Sequence, residues 1–200
     1  MAIRYAAPPD GAERLATAGL NEVTRTARLK TAGGASLTTS APDQVTLSAP
    51  HEVHNIGLDA LVAHRPLADS PTAGWRYLVQ THAGTVASSE VAADASGQPT
   101  VFAQLNEGPF VESTARSLVE VAGIPAVKSG NYEVRMLKIP ALYVIALWLK
   151  DLGGDADLVV PLEPAPDFLE ADRAYLEDEF LGVLESPARQ RLEFDDSPQG

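Results

Sequence analysis

The sequence predicts an α+β domain: a mainly antiparallel sheet covered by one central helix and followed by an acidic C-terminal helix. Three observations carry this reading. Residues 139–149 contain no charged side chain, and a second apolar run at 158–162 follows Gly153 and Gly154, so the two pair as a hairpin buried on both faces. Residues 51–105 divide into short strand-like stretches separated by turn residues. Residues 109–122 hold the clearest helical stripe, and the order of elements, strands then a helix then strands, is that of an α+β chain and not of a βαβ repeat.

In chain order, Leu15, Ala18 or Gly19, Val23, Ala27 and Lys30 recur at helical spacing, giving a thin stripe that needs a partner surface. Residues 31–50, rich in Gly, Ser, Thr and Pro, read as a linker with a short strand at 44–47. From His51 an imperfect alternation places Ile56 and Leu58 on one side and runs on through Leu61 and Val62. Strands follow at 75–81, 85–91 and 100–105, with turns at 82–84 and 92–99. Pro109 suits the first turn of a helix whose stripe is Val111, Ala115, Leu118 and Ala122, stopped by Gly123 and Pro125. Tyr132, Val134 and Met136 then alternate with Glu133 and Arg135 as a strand, and Pro140 marks a bulge or bend.

Residues 141–150 admit two readings. A helix opening at Pro140 and ending before Gly153 fits the proline-first, glycine-last asymmetry. A strand fits the β-branched and aromatic residues Tyr143, Val144, Ile145 and Trp148 and the matching length of 158–162, and it is the reading preferred here. At eleven residues, 139–149 is well short of the roughly 20 needed to cross a bilayer. The chain thus divides into an N-terminal helix and linker (1–50), an α+β core (51–162) and an acidic C-terminal helix and tail (163–200). In the last part, Asp167 is an expected N-cap, Ser186 and Pro187 an expected stop, and the tail beyond Gln190 is expected to be disordered.

Charge narrows the partners. The net charge is −12, with +1 in residues 1–50, −5 in 51–162 and −8 in 163–200. Such a surface repels nucleic-acid backbones and anionic lipids and favours a basic protein. The absence of cysteine removes disulfides, thiolate metal sites and a thiol nucleophile, and residues 1–10 hold no apolar run of signal-peptide length, so a cytoplasmic protein is expected. Eleven arginines against four lysines suggest a GC-rich bacterial coding sequence.

No catalytic motif stands out. His51 and His54 lack the spacing of a zinc helix and fall on opposite sides of a strand; a three-ligand site from one of them with His64 and Asp59 is the alternative to reading these and His82 as surface or hydrogen-bonded histidines, the preferred reading, and no metal or cofactor is expected. No nucleophile elbow surrounds a serine, and Gly33-Gly34 and Gly153-Gly154 lack the rest of a phosphate loop. The acids Glu107, Glu112, Asp151, Asp155 and Asp157 read as solvated loop residues. Two binding readings remain beside a small carboxylate or histidine hydrolase. Trp75, Tyr77 and Trp148 could line a ligand groove, although such rings are more often core. Phe168, Leu169, Tyr175, Leu176, Phe180 and Leu181 form a broad apolar face that either docks on its own sheet or enters a partner. The leading expectation is a non-catalytic interaction or adaptor protein, meeting a basic or apolar partner or further copies of itself through the acidic segment.

Overall fold

A computed structural model describes residues 3–26, 29, 31–154 and 156–195. A mostly antiparallel nine-stranded sheet forms the frame. Its strands are β1 (Ile3–Tyr5), β2 (Thr46–Asn55), β3 (Thr72–Thr81), β4 (Gly84–Ala93), β5 (Pro99–Asn106), β6 (Tyr132–Ile139), β7 (Val144–Asp151), β8 (Leu158–Pro161) and β9 (Tyr175–Leu176). They run in the order β5-β4-β3-β2-β6-β7-β8-β9, and β1 adds to β6. The helices are α1 (Ala12–Thr26), α2 (Ala32–Thr39), α3 (Leu58–Val62), α4 (Pro109–Val121), α5 (Pro125–Ser129) and α6 (Glu177–Asp195). Among the described residues no helix is long and apolar enough to cross a membrane.

The apolar run behaves as a hairpin. β7 pairs antiparallel with β8, Trp148 opposite Val159 and Leu149 opposite Leu158. Successive side chains leave a strand on opposite faces, so each face of β7 needs its own cover. α4 supplies one: its Leu118 and Val121 cluster with Val134, Met136, Leu147, Leu149 and Val160. α6 supplies the other, placing Phe180, Leu181 and Leu184 against Ala146, Trp148 and Val159, with Leu61 of α3 beside them. Pro140 opens a 3-10 turn (Pro140–Leu142), and Tyr143, with φ +55°, turns the chain from β6 into β7.

One edge of β6 is shared by two strands end to end. β1 pairs in parallel with Tyr132, Glu133 and Val134, and β2 continues in parallel along Arg135 to Lys138. The segment before residue 51 therefore contributes to the sheet. α1 packs Ala12 and Ala16 over Trp75, Tyr77 and Val91. Gly19 permits this approach, because a Cβ there would fall 2.0 Å from the Phe102 ring.

Four expectations change. The stretch read as linker contains α2, capped by the Thr31 hydroxyl, which accepts from Gly34 N–H at 2.9 Å. A Cβ on Gly33 would meet the Val86 carbonyl oxygen at 2.6 Å, so a composition typical of loops serves close packing of a helix on β4. Leu61 and Val62 belong to α3 and not to a strand, since Leu58 and Leu61, three apart, turn together into the core. The C-terminal helix begins at Glu177 and not at Asp167, because Tyr175 and Leu176 first pair with Val159 and Leu158. It also runs through Pro187 to Asp195, so Pro187 does not stop it; packing of the neighbouring Leu184 and Ala188 in the core offsets the hydrogen bond that proline cannot make. Ala27, Lys30, Asp155 and residues 196–200, part of the expected disordered tail, lie outside the described residues.

Charge is buried on the α4 side of the sheet. His51, Arg76, Glu90 and Gln104 stand opposite one another on β2, β3, β4 and β5. Glu90 accepts from Lys138 Nζ at 2.7 and 2.8 Å and from Gln104 at 2.9 Å, with Arg76 Nε 3.6 Å away. Arg76, 2% exposed, also donates to Thr114 Oγ1 on α4 at 3.2 Å. Burial alone would raise the Glu90 carboxyl, but the charge and hydrogen bond of Lys138, then Arg76, hold it below the usual carboxylate range. His51 is pushed down to about 3 by burial and by the adjacent Arg76 charge.

Two outcomes are expected. Glu90→Gln leaves two cations without their counter-charge, Arg76 buried and Lys138 largely so, and costs about 3–5 kcal/mol in urea unfolding at pH 7. Because the His51 value in the folded chain lies below its ordinary 6.5, the unfolded chain binds a proton that the folded chain refuses. Stability present above that value is thus lost as pH falls toward about 3, and this group accounts for roughly 2–3 kcal/mol between pH 6.5 and 4.5. Urea midpoints for His51→Asn, which keeps a donor for the Ala49 carbonyl, should fall less over that interval.

Candidate functional site

The C-terminal segment crosses from one side of the sheet to the other, and specific polar contacts position it. Residues 163–174 touch both layers: Glu163 and Asp172 meet α4, while Ala165 and Leu169 between them join the cluster beneath α6. Ser113 Oγ donates to the Glu163 carbonyl at 2.8 Å, Arg116 donates to Glu163 and Asp172 at 2.9 and 2.8 Å, and Ser117 Oγ donates to Asp172 at 2.6 Å. Tyr175 is buried in that same cluster, and its hydroxyl accepts from Glu170 N–H at 2.9 Å. The start of α6 is fixed by Glu177, which accepts from Leu67 N–H at 2.7 Å, and its middle by Glu185, 2.8 Å from His64 Nε2.

The six residues expected to contact a partner separate into two sets. Leu169, Tyr175, Phe180 and Leu181 are buried in the cluster beneath α6. Phe168 and Leu176 remain outside, 38% and 53% exposed. They do not share a surface. Leu176 borders a cleft of about 370 Å³ with Lys150, Asp157, Asp178 and Glu179. Phe168 borders an open groove of about 560 Å³ formed with Leu142, Val183, Pro187 and Phe194. Phe194 is 68% exposed, and Tyr143, the chain neighbour of Leu142, is 82% exposed. This groove is mainly apolar, with Gln190, Arg191 and Ser186 at its margin.

Sequence reasoning named Phe168 and missed Leu142, Tyr143, Val183 and Phe194 as surface. A signal existed: Val183, Pro187, Gln190 and Phe194 repeat at helical spacing. Reading Pro187 as a helix stop concealed it.

The aromatic residues considered for ligand binding do not come together. Trp75 and Tyr77 are enclosed beneath α1, whereas Trp148 is enclosed near α6 and donates its Nε1–H to Asp157 at 2.8 Å. Burial, followed by the charge of Glu13, pushes the Tyr77 hydroxyl up to about 12. Among the other residues weighed for chemistry, His51 and His54 point to opposite faces, joining Arg76 on one and Trp148 on the other. His82 is exposed and Asp59 lies in α3. Glu107 accepts from the Thr31 hydroxyl, and Glu112 borders a pocket with Thr31 and Gly108. Asp151 accepts from Gly153 N–H at 2.8 Å, an arrangement that shapes the β7–β8 turn. Among the described residues no group of three His, Asp or Glu side chains is placed to hold a metal ion.

No family model matches the chain, and no curated protein or solved structure shows significant similarity to it.

Core and groove residues of α6 should respond differently to substitution. Phe180→Ala removes a fully buried ring and should cost about 3–5 kcal/mol in urea unfolding. Phe194→Ser changes an exposed position and should stay within about 0.5 kcal/mol of the parent chain.

Proposed function

We propose that the protein is an interaction module that docks a basic, amphipathic protein segment in the groove along the outer side of α6. The observation that carries this reading is the concentration of exposed large side chains there: Phe168 and Phe194 in the groove, with Tyr143 next in sequence to its lining residue Leu142. Contiguous exposed apolar surface on a folded protein commonly marks a binding surface, because leaving it in water is unfavourable. The choice of a basic partner rests on charge, since residues 163–200 carry −8. A segment with one apolar row and flanking lysine or arginine side chains would seat the row in the groove, with its cations drawn by the net negative charge of residues 163–200 beyond the groove's own lining. The acids set on-rate and salt dependence, while apolar burial supplies most of the affinity.

The test compares the parent chain with Phe168→Ser/Phe194→Ser as baits, each first checked for unchanged unfolding. A protein retained by the parent, lost by the double variant and weakened at least severalfold between low and moderate salt is the expected result. Equal retention by both baits removes the groove from the explanation. Elution of the parent as a dimer that the double variant converts to monomer would assign the groove to a second copy of the chain.

A further inference from the structure

On the α6 side of the sheet, a serine, a histidine and a glutamate form a connected chain of side chains that the docking groove does not use. His54, on β2, is buried with the edge of its ring against Trp148, their centroids 5.0 Å apart. Its Nε2 lies 3.2 Å from Glu52 Oε2, and its Nδ1 lies 3.1 Å from Ser70 Oγ. Ser70 follows the 3-10 turn Leu67–Asp69 and is half-buried between exposed Asp69 and Pro71. Glu52 is held in turn: Arg135 Nε is 3.4 Å from the same carboxylate oxygen, and the Arg135 guanidinium lies 4.9 Å from the centre of the Trp148 ring.

We infer that Ser70, His54 and Glu52 form a nucleophilic serine centre that accepts acyl groups from small activated esters. The arrangement contains the nucleophile relay of such chemistry: a hydroxyl, a base within hydrogen-bond reach, and a third group orienting the base. In the reactive tautomer, Nε2–H donates to Glu52 and Nδ1 accepts the Ser70 hydroxyl proton. That proton also reaches the Leu67 carbonyl, 2.5 Å from Oγ, so turning it toward Nδ1 requires only rotation about the Cβ–Oγ bond. Once the ring is doubly protonated, Glu52 accepts from Nε2–H and the Ser70 carbonyl, 3.1 Å away, accepts from Nδ1–H. An acceptor for each proton of the charged ring therefore already lies within hydrogen-bond reach.

The step is acyl transfer. Ser70 Oγ bonds to the ester carbonyl carbon as its proton passes to His54 Nδ1; the bond from that carbon to the leaving oxygen then breaks, and the departing alcohol takes the proton from Nδ1. Water, deprotonated by the same nitrogen, cleaves the Ser70 ester, releasing the carboxylic acid and returning the proton to Oγ. Half-burial of Ser70 restricts the acyl group to a small one. Glu52 is a positioning residue, acting through His54.

The test exposes the full-length chain to a fluorophosphonate probe, with trypsin in parallel as a reactive control, and locates adducts by peptide mass spectrometry. The expected result is a single adduct on Ser70, absent from Ser70→Ala. Glu52→Gln should slow labelling at least tenfold and alter its pH profile, a response that a purely structural role would not give, while thermal unfolding shows the variant folded. Hydrolysis of p-nitrophenyl acetate should fall with the same variants. No Ser70 adduct under conditions that fully modify trypsin overturns the inference. Equal labelling rates for the parent and folded Glu52→Gln also overturn it, because Ser70 would then react without the relay. Phe168→Ser/Phe194→Ser should label at the parent rate, so failure of the docking reading leaves this result unaffected.

Discussion

Two-sided burial of β7 is the constraint from which the arrangement follows. Val144, Ala146 and Trp148 alternate with Leu147 and Leu149, and all five are buried. A strand of this kind is stable only inside a sheet with a layer on each side. α4 provides one layer and α6 the other, and the segment that joins their sides, residues 163–174, is held by Ser113, Arg116 and Ser117 of α4. The position of α6 is therefore set by the far side of the sheet as well as by the surface it covers.

The same sheet carries charge through its interior. Glu90 gathers Lys138, Arg76, Gln104 and Asn106, joining β4 to β3, β5 and β6. A pair of this kind contributes little net stability compared with apolar residues of similar volume, because both ions lose water. Removing one member is costly, however, so the contacts favour one strand register over its neighbours. Among the described residues Trp75 Nε1, Tyr77 OH and Ser88 Oγ are also buried without a hydrogen-bond partner, which makes this part of the sheet less fully satisfied than the β7–β8 hairpin.

Legibility in the sequence followed the range of the responsible interactions. The β7–β8 hairpin and α4 were visible because their signals are local: an uninterrupted apolar run, a helical stripe, and a proline and glycine at opposite ends. α2 was hidden because Gly33 and Gly34 resemble a loop until β4 is seen beneath them. The tandem parallel pairing of β1 and β2 on β6 joins residues separated by more than a hundred positions in one case and about eighty in the other, and carries no short-range mark. At the groove, Phe168 was visible in an amphipathic stretch, but Phe194 lay beyond a proline taken as an end. Ser70 lies sixteen residues from His54 in an Asp-Ser-Pro turn, and only strand pairing and the 3-10 turn bring them together.

The order of the two covers along the chain bears on biosynthesis. α4 precedes β7, so the Leu147–Leu149 side can be covered as soon as the strand emerges, whereas α6 ends 44 residues after Asp151. At ordinary elongation rates the Ala146–Trp148 side therefore waits roughly two to nine seconds for its helix. During that interval the nascent chain presents a tryptophan-bearing strand face to solvent or a chaperone, and completion of α6 is the event that removes it from view.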